Sequence, residues 1–304
     1  MATEQYRHKL RKVLQRAHGQ DLSDESKVDA FVEELPVTER LLVGGDTTCI
    51  EVSDGETCLV VDAGSGIRRL GLEMMKGGRY ANYGGAVHLL FSHHHHDHTC
   101  GFPFFVPGFL PTSDIRLHGV HKGLEARMAG LQVGEYFPVP LEVMPSKKTY
   151  HQLTVDKPYR IGEFTITPTE LNHPGDTYGY RFEWRDKVFV VASDTEFKNP
   201  DEETIEHFTA FFRDADYLYF DGQYTVQEAF VKEDWGHSSA MHGVDLSVRA
   251  GVKCLLVGHH DPAYDDETIV SIEEDAHMYR DLLYPDATRD VIAAIEGATF
   301  DLSE

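Results

Sequence analysis

Ser92-His93-His94-His95-His96-Asp97-His98 follows the apolar run Val87–Phe91, a buried-strand candidate. Four consecutive histidines would suit an expression tag, but this run is internal, leaves a strand and continues into Asp97-His98. Side chains alternate across an extended segment, so His93 and His95 emerge on one side and can share one metal ion. The turn that follows can present Asp97 and His98 to a second. His94 and His96 then point elsewhere, as packing or supporting groups. Imidazole with carboxylate suits a borderline divalent ion, zinc first, with manganese and iron also compatible.

Strand and helix patterns alternate around this junction. Thr47–Ser53 and Glu56–Asp62 flank Asp54-Gly55, a hairpin signal. Tyr178–Trp184 and Lys187–Ala192 flank Arg185-Asp186 in the same way. Each hairpin runs an apolar strand into a loop carrying an aspartate, Val60-Val61-Asp62-Ala63-Gly64 and Val190-Val191-Ala192-Ser193-Asp194, which suggests an internal duplication. Ile115–Gly119, Phe164–Pro168, Tyr217–Phe220 and Lys253–Val257 read as further buried strands. Helical spacing is present at 121–129, 239–250, 267–279 and 288–295.

Near the N-terminus, Tyr6, Leu10, Val13, Leu14 and Ala17 recur at helical spacing among Arg7, Lys9, Arg11, Lys12 and Arg16. This predicts an amphipathic helix packed on the body or on a second subunit, so a homodimer is one expectation. A second helix is expected over Ser23–Glu34, capped by Ser23 or Asp24 and stopped before Pro36. No Pro- or Gly-rich linker divides the remainder. Residues 1–38 are therefore expected to form a helical extension and 39–304 one large layered α/β domain. The least regular stretch, 131–153, is expected to be a lid or insertion.

Composition narrows the function. The 28 Lys+Arg against 51 Asp+Glu leave a formal charge of −23, which disfavours nonspecific binding to duplex nucleic acid. With 41% hydrophobic and 26% charged residues the chain is neither disordered nor collagen-like. No run approaches the ~18 apolar residues of a membrane span, and MATEQYRHKL lacks the apolar core of a secretory signal. Four scattered cysteines, Cys49, Cys58, Cys100 and Cys254, make no CxxC pair, which fits a reducing, cytoplasmic setting.

His93-x-His95-x-Asp97-His98 resembles the signature of the metallo-β-lactamase superfamily, whose fold is a four-layer αββα sandwich with a dinuclear metal site at one edge. Other elements match in order over roughly residues 40–285. Leu59-Val60-Val61-Asp62-Ala63-Gly64 is similar to the early Asp-x-Gly element, and Leu171-Asn172-His173-Pro174 to the third histidine motif. Ala192-Ser193-Asp194-Thr195 resembles the strand-end bridging aspartate, and Val257-Gly258-His259-His260-Asp261-Pro262 the last histidine motif. The resemblance implies His93, His95 and His173 at one metal, Asp97, His98 and His259 at the other, and Asp194 between them. His259 is preferred over His260 because it directly follows the strand. Asp62 is expected not to ligate but to accept a hydrogen bond from a ligating imidazole.

Seven ligands without cysteine imply a site open to water, hence catalytic. Two divalent ions, zinc foremost, would share a hydroxide as the nucleophile. Redox diiron relatives tend to carry glutamate where this chain has His95, which favours hydrolysis. Trp235-Gly236-His237-Ser238-Ser239, with Tyr219-Phe220-Asp221-Gly222-Gln223-Tyr224-Thr225 upstream, resembles the phosphodiesterase branch that includes tRNase Z-like enzymes. There a non-ligating histidine assists phosphate chemistry by proton donation or charge balance. Asp97 and His237 are thus the expected catalytic residues. The expected substrate is a small anionic phosphodiester such as a cyclic nucleotide, with no membrane partner. A thioester, lactone or carboxylic-ester hydrolase, or a non-catalytic metal-binding scaffold, is the alternative.

Overall fold

A computed structural model describes residues 2–302 except 77 and 199. The termini of the two expected units, residue 1 and residues 303–304, lie outside the described residues. Three helices fill the first forty positions: α1 (Ala2–Ala17), α2 (Glu25–Glu33) and α3 (Val37–Arg40). Asp24 caps α2 by accepting from Lys27 N–H, 3.0 Å away. Helix α1 is tied to the C-terminal part of the chain by ion pairs from Lys9 to Asp266 and from Lys12 to Glu267.

Among the described residues, twelve strands build two sheets. The first holds β1 (Ile50–Ser53), β2 (Cys58–Val61), β3 (Ala86–Phe91), β4 (Asp114–Gly119) and β5 (Lys147–Gln152), side by side in that order. Its helices are α4 (Gly66–Lys76), α5 (Arg79–Asn82), α6 (His96–Thr99) and α7 (Leu124–Gly130). The second sheet runs β12-β11-β10-β9-β8-β7-β6, from β6 (Tyr159–Ile161), β7 (Phe164–Leu171), β8 (Thr177–Trp184), β9 (Lys187–Ala192), β10 (Tyr217–Asp221) and β11 (Cys254–Gly258) to β12 (Asp290–Ala293). It is accompanied by α8 (Glu202–Phe212), α9 (Val226–Val231), α10 (Ala240–Ala250) and α11 (Asp266–Leu283). In both sheets an antiparallel hairpin, β1-β2 or β8-β9, leads into three parallel neighbours. The duplicated hairpin motif of the sequence therefore corresponds to a repeated topology.

Alternation along each strand makes the layers, because successive side chains take opposite faces. Leu59, Val61 and Leu90 of the first sheet meet Ile166, Tyr180, Phe182 and Val191 of the second. The other face of the first sheet, with Val60, Leu89 and Phe91, packs on Ile67 and Met74 of α4. Val190, Leu218 and Val257 of the second sheet's outer face pack on Phe208, Phe212, Val244 and Ala276. Each buried Val, Leu, Ile, Phe or Met among these contributes about 1.5–3 kcal/mol. The product is the four-layer αββα sandwich, and its parallel strands end at one common edge.

Three local readings need correction. Residues 288–295 contain a strand rather than a helix, with β12 paired parallel to β11. The stretch 131–153 is not a lid: Leu141 and Met144 join the core, and residues 147–152 form β5. The Asp54-Gly55 hairpin closes through four residues, since Ser53 pairs with Cys58 while Asp54 accepts from the backbone of Glu56 and Thr57.

A histidine column lies on β3, β4 and β5. His88 Nδ1 is 3.0 Å from His118 Nε2, and His118 stacks on His151. Arg116 and Asp114 on β4 flank the column, and Thr149 on β5 contacts His151. Burial pushes His88 down to about 4 and His118 down to about 3, from an ordinary 6.5. An unfolded chain protonates both near 6.5, so it binds more protons than the native state as pH falls towards 4, and stability is lost over that window. The thermal midpoint should therefore drop between about pH 6.5 and about pH 4.5. His118→Gln, which keeps a donor and an acceptor but does not titrate, should drop less steeply. Equal slopes would remove the column as a cause.

Candidate metal centre

The common sheet edge gathers the histidines and aspartates because each follows the end of a strand. His93 leaves β3, Asp62 leaves β2, Asp194 follows β9 and His259 leaves β11. Asp62, Asp194 and His259 have φ of 62°, 59° and 56°, the left-handed region in which Asp and His are over-represented among non-glycine residues. That conformation turns the chain sharply, so the side chain stays at the edge. The histidine run bends at once into α6, where His98 N–H donates to His95 O. Gly64 sits beneath this turn: a Cβ there would lie 2.3 Å from Asp97 O.

Two donor groups result. His93, His95 and His173 converge, with His173 Nε2 3.3 Å from His95 Nδ1. Asp97, His98, Asp194 and His259 form the second group, with His98 Nε2 and His259 Nε2 3.2 Å apart. Asp194 lies between the two groups. Its Oδ2 is 3.6 Å from His93 Nε2 and 3.7 Å from His173 Nε2, and its Oδ1 is 3.3 Å from His98 Nε2 and 3.1 Å from His259 Nε2. Asp97 Oδ2 is 3.2 Å from His98 Nε2. His95 and the Asp97 carboxylate face solvent while His93, His98 and Asp194 are buried, so the centre is open on one side.

His94 and His96 stand outside both groups; the His94 ring stacks on Phe91 and meets His121 edge-on. His260 is likewise outside them. Arg181 is committed to Glu183 and to the Phe211 and Arg213 carbonyls. Phe137 meets Phe104 edge-on, while Tyr136 is exposed.

Supporting hydrogen bonds fix the imidazoles. Asp62 accepts from Ser92 N–H, Ser92 Oγ–H and His98 Nδ1–H, the last at 2.8 Å. His98 is thereby left with Nε2 facing inward. His173 Nδ1–H donates to Gly236 O at 2.8 Å, and Ser193 Oγ–H donates to Asp194. Tyr219 Oη accepts from His259 N–H.

The donor set suits divalent cations. Burial opposes charge on His98 and His259, yet Asp194 and its neighbouring carboxylates outweigh it, holding His98 well above its usual range and His259 at about 9. The carboxylates around these inward-facing nitrogens thus call for positive charge. Burial and the charge of His98 push His93 down to about 2, and its Nε2 is buried without a hydrogen-bond partner. A neutral imidazole with an unused inward lone pair is a metal donor.

His237 adjoins both groups, and one of its ring nitrogens lies within 4.8 Å of donor atoms of Asp221 and His259. One of its ring nitrogens lies within 4.8 Å of donor atoms of His173 and Asp194. The ring stacks on His259, with centroids 5.1 Å apart. Its Nδ1–H donates to Asp221 Oδ2 at 2.8 Å. Asp221 is fully buried and also accepts from Thr195 N–H and Gln223 N–H. Asp221 closes the apolar strand β10 as Asp62 follows β2, and this place at a strand end is the signal in the sequence for its role.

The beta-lactamase superfamily domain model matches residues 57–260. The chain belongs to this superfamily. It is similar to ribonuclease Z of Bradyrhizobium sp. (strain ORS 278), at 23% identity over 273 residues, covering 72% of this chain and 85% of the relative. Among solved structures it resembles the metallo-beta-lactamase fold protein YhfI from Bacillus subtilis, with a TM-score of 0.61 and 19% identity over 84% of this chain and 94% of that one. It also resembles unliganded yeast PDE1, with a TM-score of 0.63 and 12% identity over 84% and 96% of the two chains. No described helix is long and apolar enough to cross a membrane.

Proposed function

We propose that this metal-dependent hydrolase cleaves a small anionic phosphodiester, such as a cyclic nucleotide, with His237 assisting departure of the leaving oxygen. His93, His95 and His173 would hold one divalent ion, Asp97, His98 and His259 a second, with Asp194 touching both. Such a pair, when bound, supplies Lewis acidity and an activated water nucleophile. Zinc suits the His/Asp donor set best.

The observation that carries the reading is the Asp221–His237 pair beside the centre. Asp221 fixes the Nδ1–H tautomer, so Nε2 is the atom that reaches towards substrate. A phosphodiester needs its departing alkoxide protonated or its developing charge balanced, and a positioned imidazole does either. The half-exposed Asp97 carboxylate at the open side helps to orient the reacting group. The −23 formal charge favours a small substrate over a long polyanion.

Purified protein supplied with zinc or manganese should hydrolyse bis(p-nitrophenyl) phosphate and at least one cyclic nucleotide, and should hold about two ions per chain. Assaying an RNA with a 3′ extension and a thioester panel alongside discriminates the alternatives. Faster thioester than phosphodiester turnover would overturn the proposal.

A further inference from the structure

Glu196 lies two residues beyond Asp194, and its backbone is tied to the residue before His173. Glu196 N–H donates to Asn172 O and Asn172 Nδ2–H donates to Glu196 O, both at 2.8 Å. Its carboxylate reaches the other way, into the loop that carries His237. Asp234 N–H donates to Oε1 at 2.8 Å and Gly236 N–H donates to Oε2 at 3.1 Å.

Those two peptide groups belong to a turn with little freedom to drift. Gly236 O is the acceptor for His173 Nδ1–H, and His237 is the next residue. Asp234 and Gly236 take φ of 67° and 88°, both left-handed. A Cβ at Gly236 would lie 2.3 Å from His173 Nδ1, so only glycine permits this approach. The segment entering the turn carries exposed Phe230, Val231 and Trp235, and apolar contact with the body does little to hold it.

We propose that Glu196 is a positioning residue: its carboxylate clamps the turn 234–236 and thereby sets the approach of His237 and the orientation of His173. The rate readout below rests on the phosphodiesterase reading; the clamp itself does not. Two backbone donors need two acceptors, which a carboxylate supplies. A carboxamide offers one acceptor and turns its own N–H groups towards the second donor. Glu196→Gln preserves shape but breaks the clamp, whereas Glu196→Asp keeps both acceptors on a shorter stem. A packing role predicts the opposite order.

The test uses full-length, zinc-loaded protein as the parent, E196Q, E196D and K198A. Lys198 pairs with Glu233 and Asp234 on the surface, so K198A serves as a neighbouring control. Amide hydrogen exchange over residues 232–238, zinc per chain, and kcat and KM for bis(p-nitrophenyl) phosphate are measured. In E196Q, exchange at Asp234 and Gly236 should accelerate at least about tenfold, and kcat should fall by about 10–100-fold with KM little changed, the range for groups that orient metal-site ligands. E196D should fall between E196Q and the parent, and K198A should match the parent. Parent-like exchange and kcat in E196Q, or E196Q outperforming E196D, would overturn the proposal. Should E196Q not fold, parent-like exchange and rate in E196D would overturn it equally, because the shorter stem weakens at least one of the two contacts. A parent inactive on phosphodiesters would instead fail the functional reading, with the exchange pattern still deciding the clamp.

Discussion

Asp194→Ala should leave about one ion or fewer per chain and lower turnover by on the order of 10³-fold or more, beyond the loss usual for a single electrostatic contact. The two carboxylate oxygens of Asp194 face different donor groups, Oδ2 towards His93 and His173 and Oδ1 towards His98 and His259. Two divalent ions held by these neighbouring groups would repel one another, most strongly on the buried side of the site. A carboxylate between them offsets that repulsion, which a terminal imidazole cannot do. The loss should therefore exceed that of His95→Ala, whose side chain lies at the exposed rim and would serve one ion. Asp194→Asn preserves volume and separates loss of charge from failure to fold. Metal analysis with assay on the same preparations decides the matter. Full dinuclear occupancy and rate in Asp194→Ala would dispose of the bridging role.

His237→Ala should behave in the contrasting way, keeping its metal while losing turnover. The ring is held by Asp221 and stacked on His259, outside the seven proposed ligands. Phosphodiester turnover should fall by about 10²–10⁴-fold, the range for a positioned acid–base group. The loss should appear mainly in kcat, because the interaction strengthens in the transition state. A substrate with a very good leaving group should suffer less if the imidazole delivers a proton, and equally if it balances phosphoryl charge. An unaltered rate in folded, metal-replete His237→Ala would leave His237 a packing residue ahead of α10 and put an ester-hydrolase reading on equal terms.

Much of the fold was legible because its signals are local. Short apolar runs located the central strands, and Ser23 or Asp24 as a cap marked the start of α2, where Asp24 takes the place. The misread segments lacked such signals. Lys147–Gln152 is polar because β5 is an edge strand, held chiefly by backbone pairing with β4, so it carried no apolar pattern. The run Val291-Ile292-Ala293-Ala294-Ile295 is apolar at every position, which cannot separate a short strand from a helix face.

At the site, the identities and order of His93, His95, Asp97, His98, His173, Asp194 and His259 were set by sequence, as was their placement where strands end. Their convergence was not. His98 and His259 are 161 positions apart, yet their Nε2 atoms lie 3.2 Å from one another. Asp221 holding His237, Asp62 holding His98 and Glu196 clamping the turn before His237 are likewise contacts between distant segments. Residue type and strand ends are written in short windows, because alternation and turn chemistry act over a few residues. Which carboxylate meets which imidazole depends on two sheets packing at one register, and that pairing exists only once the chain has closed on itself.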